Sequence, residues 1–173
     1  MQIQTTRFGA VEVSEGDFII FSEGLLGFAD LKKFVLLDDP DDDIFAWLQS
    51  CEHPNVAFPV LEPELFSLEY KVNLSKRDLE ALEMTEKKGY CVYTIITIPE
   101  DPTQMTANMK APVVINISKR KARQCVLQDN DLPIRHNIFS QLQQRLVQGP
   151  LNENRVSKNT NLAVRILPAE PLV

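Results

Sequence analysis

The sequence is poor in the residues on which catalytic and metal sites most often depend. It has two histidines and three cysteines in 173 residues, and Cys51 and His53 have no second pair of ligands at the spacing of a zinc site. There is no Gly-x-Ser-x-Gly nucleophile motif, and Gly24 and Gly27 lack the Lys-Ser or Lys-Thr pair of a phosphate-binding loop. We therefore expect a protein that is not an enzyme, with no catalytic residues, no cofactor and no metal.

Long apolar segments are also missing. No apolar run approaches the roughly 20 residues that cross a bilayer, and the N-terminus lacks the basic and apolar regions of a secretory signal. The cysteines are an odd number, lie far apart and have apolar neighbours, which is typical of reduced, buried thiols. These features predict a cytoplasmic protein with no membrane partner.

Basic charge is scarce in the first third of the chain. Residues 1–64 contain 13 acidic and three basic side chains, whereas the whole chain has 24 and 18, for a net charge of −6. Because nucleic-acid binding depends on basic charge, this balance disfavours direct nucleic-acid binding and favours a basic protein partner. The exception is Lys119–Arg123, with four positive charges but no interleaved aromatic residue. Two interpretations stay open there: an RNA-binding β-barrel, or a solvated hairpin that neutralises the acidic first third.

The pattern that is present favours β-structure. Short apolar segments recur between turns rich in proline and aspartate, and each has the length of a strand. Eight strands are predicted, over residues 11–13, 17–21, 34–37, 44–49, 56–61, 90–98, 113–117 and 124–128. Because long helices do not alternate with them, we predict an all-β fold, an antiparallel β-barrel-like single domain with one or two short peripheral helices.

Two segments predict those helices. Ser75 and Asp78 have the spacing of a capping box, which predicts a helix of about two turns. Residues 136–147 carry apolar residues at every fourth position and are followed by a Gly-Pro stop, which predicts the second helix.

The composition changes after the second predicted helix. We expect a barrel domain over residues 1–148 and a C-terminal extension over residues 149–173, made of a polar linker and a possible extra strand. In that strand Leu162, Val164 and Ile166 alternate with other residues. It could extend the barrel edge, or it could compete within the chain for a groove that a partner uses.

One loop and one acidic turn combine apolar and charged residues as protein interfaces do. In Glu23–Phe28 two leucines lie between turn glycines and a phenylalanine follows the second glycine, and the acidic run 38–43 comes one strand later. The alternative is that the apolar residues fill the end of the barrel. The candidate partner-binding residues are Glu23, Leu25, Phe28, Asp41 and Asp42.

Six motifs occur in order along the chain. They are SEGLLGF at 22–28, LQS at 48–50, AFPVLEP at 57–63, TIITIP at 94–99, TANMKAPVVIN at 106–116 and QCVL at 124–127. Over roughly residues 1–140 this series resembles the FliW family of flagellar assembly factors. Leu26 stands where that family commonly has proline, Met109 where it has leucine, and the segment after Gly149 exceeds its usual length.

The resemblance implies a non-catalytic β-barrel that exchanges protein partners. Such proteins bind the C-terminal region of flagellin and, once flagellin is exported, bind the basic RNA-binding regulator CsrA, which then no longer represses flagellin translation. The apolar loop would suit the amphipathic end helix of flagellin, and the acidic first third would suit the regulator. Overlapping sites and coupled separate sites both stay open. A small-molecule enzyme on a split-barrel fold would instead need a pocket and a flavin or metal.

Overall fold

The computed structural model describes residues 1–42, 44–129, 131–148 and 162–165. Short 3-10 helices lie at Glu15–Asp17, Pro63–Leu65 and Pro102–Gln104. The strands and α-helices in these residues are β1 Gln2–Thr5, β2 Gly9–Glu12, β3 Ile19–Phe21, β4 Lys33–Asp38, β5 Ala46–Ser50, β6 Ala57–Leu61, α1 Lys76–Ala81, β7 Tyr90–Thr97, β8 Thr106–Ala107, β9 Val113–Asn116, β10 Lys121–Gln124, β11 His136–Asn137, α2 Phe139–Gln148 and β12 Ala163–Arg165.

Seven of these strands close into a barrel. The order is β7, β6, β5, β4, β3, β10, β9, and β9 pairs again with β7. Neighbours are antiparallel except β3 and β10, which run parallel through Lys121 opposite Ile20 and Ala122 opposite Phe21. Closure removes the exposed strand edges that invite aggregation. The predicted all-β, barrel-like fold with two short helices is confirmed.

Strand β4 shows why some segments are apolar without alternation. Its four central residues, Phe34, Val35, Leu36 and Leu37, are all fully buried. Phe34 and Leu36 belong to the cluster inside the barrel, whereas Val35 and Leu37 belong to a cluster formed with the β1–β2 hairpin on the outside. Because both faces of β4 are covered, every position along it is apolar.

The two α-helices pack on other outer faces of the barrel. Leu82, which ends α1, packs with Val114 of β9, and Leu142 of α2 packs with Leu61 of β6. The helix α1 begins at the predicted capping box: the Asp78 carboxylate accepts from the Ser75 N–H at 2.9 Å, and the Ser75 Oγ accepts from the Asp78 N–H at 3.1 Å. The hairpin and the two helices thus extend the hydrophobic core beyond the barrel interior.

The structure corrects two predicted boundaries. The strand predicted over residues 124–128 lies earlier in the chain, as β10, Lys121–Gln124. Charged residues on both sides of the buried Ala122 make this segment look like a turn in the sequence. The helix predicted over residues 136–147 begins only at Phe139, because His136 and Asn137 pair with β8 as β11. Strands β1, β8 and β11 were not predicted.

The C-terminal segment adds one strand beside β4, outside the ring of seven strands. β12 runs parallel to β4, with Ala163 opposite Leu36 and Val164 opposite Leu37. This strand lies within the region where an extra strand was predicted. Ile166 and the predicted polar linker lie outside the described residues, and the division into residues 1–148 and 149–173 stays a prediction.

Candidate protein-binding surface

A tight turn organises the loop that joins β3 to β4. Gly24 has a φ of +68° and Gly27 one of +83°, values that only glycine adopts freely. The Leu25 N–H donates to the Phe28 carbonyl at 3.3 Å, and the Phe28 N–H donates to the Leu25 carbonyl at 2.8 Å. A Cβ on Gly24 would lie 2.6 Å from the carbonyl oxygen of Ala29. Both turn glycines therefore need a positive φ, and Gly24 is required for space as well.

This turn separates the apolar residues of the loop. The Leu25 side chain is 3% exposed and belongs to the cluster inside the barrel, so it offers no surface contact in this fold, contrary to the prediction. Leu26 is 60% exposed and Phe28 is 39% exposed. The Phe28 ring packs edge-to-face on Phe58, with 5.3 Å between centroids. The plug interpretation therefore holds for Leu25, whereas Leu26, which is not among the candidate partner-binding residues, is exposed.

Hydrogen bonds hold the turn against the end of β10. The Leu26 N–H donates to Oε1 of Gln124 at 3.0 Å, and Nε2 of Gln124 donates to the carbonyl oxygen of Ala111 at 3.1 Å. Val126, which is 49% exposed, lies just beyond β10 at the same end of the barrel. We call Leu26, Phe28 and Val126 the apolar rim. Because its backbone is already fixed, a partner would bind it without ordering the loop.

Glu23 lies beside the apolar rim and is paired within the chain. Arg123 donates to Glu23 and, at 2.8 Å, to Asp78 of α1. Burial raises the pKa of Asp78, but hydrogen bonds from Ser75 and the neighbouring Arg123 charge outweigh burial and place this pKa below its ordinary value. The network joins the loop to α1 and β10. A partner contact by Glu23 stays a prediction.

The acidic turn after β4 lies at the opposite end of the barrel. Oδ1 of Asp42 accepts from the N–H of Ile44 at 2.7 Å and of Phe45 at 3.2 Å, and Oδ1 of Asp39 accepts from the N–H of Asp41 at 3.0 Å. Asp41 is exposed. The six residues of β4, at about 3.3 Å each, place roughly 17 Å between this turn and the apolar loop. The structure therefore does not bring Glu23 together with Asp41 and Asp42.

A groove lies at the same end as the acidic turn. It has a volume of about 660 Å³, and Glu62, Tyr70, Tyr90 and Cys91 are among the residues that line it. The Tyr70 hydroxyl donates to the carbonyl oxygen of Met109 at 2.6 Å, and burial raises its pKa. The groove adds a concave surface whose charged lining is Glu62, Glu64 and Lys71.

The basic segment Lys119–Arg123 forms the β9–β10 hairpin. Lys119 is exposed, but the Arg120 guanidinium donates to two backbone carbonyls, one of them that of Leu162. Arg123 is engaged by the two carboxylates described above. The segment is a hairpin, and the Arg123–Glu23 pair neutralises one acidic side chain of the first third. RNA binding by this segment stays a prediction. Two of the four cations are thus committed to contacts within the fold.

The thiols are free and poorly suited to nucleophilic chemistry. Burial raises the pKa of Cys51 to about 11 and those of Cys91 and Cys125 to about 12, so all three stay protonated at neutral pH. Within the part of the chain that the structure describes, no group of three or more His, Cys, Asp or Glu side chains could hold a metal ion. None of the helices among these residues is long and apolar enough to span a membrane.

Comparisons with known proteins point to one family. The model of the family described as FliW protein matches residues 2–138. The flagellar assembly factor FliW of Bdellovibrio bacteriovorus is 65% identical over 150 residues, which are 87% of this chain and 86% of that protein. The flagellar assembly factor FliW of Syntrophus aciditrophicus is 41% identical over 139 residues, 80% of this chain and 88% of that protein.

A solved structure is also similar. It is the crystal structure of a flagellar assembly factor FliW, with a TM-score of 0.75 and 34% sequence identity. The similarity covers 80% of this chain and 97% of that one. The barrel therefore agrees with an experimentally determined fold.

Proposed function

The chain belongs to the FliW family of flagellar assembly factors, and we propose that it is a non-catalytic protein of the cytoplasm that exchanges two partners. One partner is the C-terminal region of flagellin. The other is the RNA-binding regulator CsrA, which the protein binds once flagellin is exported, so that flagellin translation is no longer repressed.

The apolar rim is the observation that carries the flagellin half of the proposal. The Leu25–Phe28 turn presents Leu26 to solvent, and the hydrogen bond to Gln124 holds it there. An amphipathic helix needs cover for its apolar stripe before it packs into a filament, and a fixed apolar surface supplies such cover. Burying the exposed part of Leu26 contributes on the order of 1–2 kcal/mol.

The acidic end supports the regulator half. Asp41 is exposed in the turn after β4, and Glu62 lines the groove at the same end. Carboxylates on one face attract a basic protein over distance and raise its association rate. Since the acidic end and the apolar rim lie at opposite ends of the barrel, we assign the two partners to separate surfaces. Mutual exclusion then operates by coupling through the barrel, and each partner weakens the other by the same factor.

An exchange titration tests this function. The affinity for purified CsrA is measured by fluorescence anisotropy at increasing concentrations of a fragment containing the flagellin C-terminal region. With separate coupled sites, the apparent Kd for CsrA rises and then reaches a plateau. A Kd that rises without limit would show overlapping sites and contradict the separate assignment. A Kd that flagellin does not change would contradict the exchange function itself.

Two variants connect each surface with one partner. Leu26→Asp should weaken flagellin binding at least about tenfold and leave CsrA binding unchanged, because Asp cannot be buried without a partner charge. Asp41→Lys should slow CsrA association and flatten its dependence on salt, and leave flagellin binding unchanged. Leu68→Asp is the matched control for flagellin binding, because Leu68 is 75% exposed and is not part of the apolar rim. If Leu26→Asp and Leu68→Asp bind flagellin equally well, the apolar rim is not its site.

A further inference from the structure

The edge of β4 that faces β3 is shared between two strands. β3 pairs only with the first residues of β4, through Ile19 opposite Phe34 and Ile20 opposite Lys33. The preceding chain then turns away in the 3-10 helix Glu15–Asp17. The second half of β4, from Leu36 to Asp38, is thereby left with backbone groups that β3 does not pair.

The C-terminal segment fills this gap. β12 pairs in parallel with the second half of β4, from Ala163 opposite Leu36 to Arg165 opposite Asp38. Leu162, just before β12, is 2% exposed and packs inside the barrel, whereas Val164 packs outside with the cluster of the β1–β2 hairpin. Leu162 and Ala163 therefore pack against the inner cluster, and Val164 packs against the outer one.

A cation holds the start of the segment beside β3. The Arg120 guanidinium donates at 3.3 Å to the carbonyl oxygen of Leu162 and at 3.3 Å to that of Asp17. It therefore bridges the chain just before β3 and the chain just before β12. Arg120 therefore fixes the position at which the segment enters, and β4 supplies the backbone edge with which it pairs.

The rest of the barrel is complete without β12. The family match ends at residue 138, and 80% of this chain accounts for 97% of the solved FliW chain. Ring closure runs through β3, β10 and β9 and does not use β12. β12 adds a strand to a barrel that is already closed, and it comes from beyond the family match. In both respects it resembles a bound peptide rather than a strand of the barrel.

We propose that the second half of β4 is a strand-addition site and that residues 162–165 are its resident, exchangeable ligand. The partner that replaces them is an extended protein segment lying parallel to β4. It has a large apolar residue at the position of Leu162, a small one at that of Ala163 and a branched apolar one at that of Val164. Main-chain hydrogen bonds supply affinity, and the two apolar positions supply selectivity.

The test uses the full-length chain with Leu162→Asp, which cannot keep this side chain in the core and releases the segment. A fluorescent peptide of residues 158–169 is the probe. It should bind Leu162→Asp saturably and bind the wild-type chain at least tenfold more weakly, because the tethered segment competes at a high local concentration. Leu162→Met, which conserves volume, is the matched control and should behave like wild type. Failure of the peptide to bind a folded Leu162→Asp chain would overturn the proposal.

Hydrogen exchange on the wild-type chain gives a second test that needs no variant. If residues 163–165 are exchangeable, their amides and those of the second half of β4 exchange through a local opening, before β5 does and with little dependence on urea. Exchange of these amides only upon global unfolding would make β12 a permanent strand and refute the proposal. A wild-type dimer that Leu162→Asp dissociates would also refute it, since the resident segment would then come from a second copy. Neither test involves flagellin or CsrA, so these outcomes are independent of the proposed exchange function.

Discussion

Gly24→Ala and Gly27→Ala form a matched pair that tests the origin of the loop conformation. Both glycines have a positive φ, so alanine costs about 1–2 kcal/mol at either position, offset by a few tenths to 1 kcal/mol from the stiffer unfolded chain. The surroundings differ: a Cβ on Gly27 meets nothing within 4 Å, whereas one on Gly24 lies 2.6–2.7 Å from backbone atoms of Phe28 and Ala29. Relieving that overlap costs about 1–3 kcal/mol more.

Urea and thermal unfolding measure the difference directly. Gly24→Ala should be less stable than Gly27→Ala by about 1–3 kcal/mol, which corresponds to roughly 2–12 °C in Tm for a chain of this size. Because the backbone of the turn has to move, Gly24→Ala should also lose more affinity for the flagellin fragment. Equal stabilities for the two variants would refute the steric argument, since φ alone would then account for both.

Two further predictions concern carboxylates. The pKa of Asp78 is lowered in the folded state, so the stability it contributes is present above its ordinary value of 3.8 and is lost as pH falls through the folded value. Asp78→Asn should therefore weaken the pH dependence of the free energy of unfolding, measured by urea unfolding from pH 5 to pH 2. An unchanged pH dependence would contradict this assignment. Asp30→Asn, at an exposed position, is the control. Asp42→Ala should lower the free energy of unfolding by about 1 kcal/mol because two N–H groups lose their acceptor, whereas Asp41→Ala should leave it unchanged. Equal effects would mean that the turn does not depend on Asp42.

Local signals in the sequence predicted the fold well. The capping box at Ser75 and Asp78 acts within one helical turn, so it marks the start of α1 without any tertiary information. The apolar run of β4 is long enough to identify a strand. β8 and β11 have two residues each, too few to show a period, and β10 was misplaced because Ala122 is its only fully buried residue. The parallel pairing of β3 with β10 joins segments about 100 residues apart, and no local pattern in either segment predicts it.

The candidate site shows a sharper limit. Leu25 and Leu26 are adjacent and chemically identical, yet one lies in the core and the other in solvent. Their directions depend on how the Gly24 backbone turns and on the bond from Leu26 to Gln124, 98 residues away. Likewise, the two acidic features of the first third were close in sequence but lie at opposite ends of β4, because a strand carries the chain from one end of the barrel to the other. Placing such residues on a common face requires the sheet topology.

Barrel closure through β3 and β10 has a consequence for synthesis of the chain. Domains form as the chain emerges, N-terminal part first. β3 leaves the ribosome long before Lys121–Gln124 exists, so the apolar strand Ile19–Phe21 waits with one edge unpaired. Exposed edges of this kind associate readily. The 13 acidic and three basic side chains of residues 1–64 give this waiting segment a strong negative charge, which keeps nascent chains apart until the barrel can close.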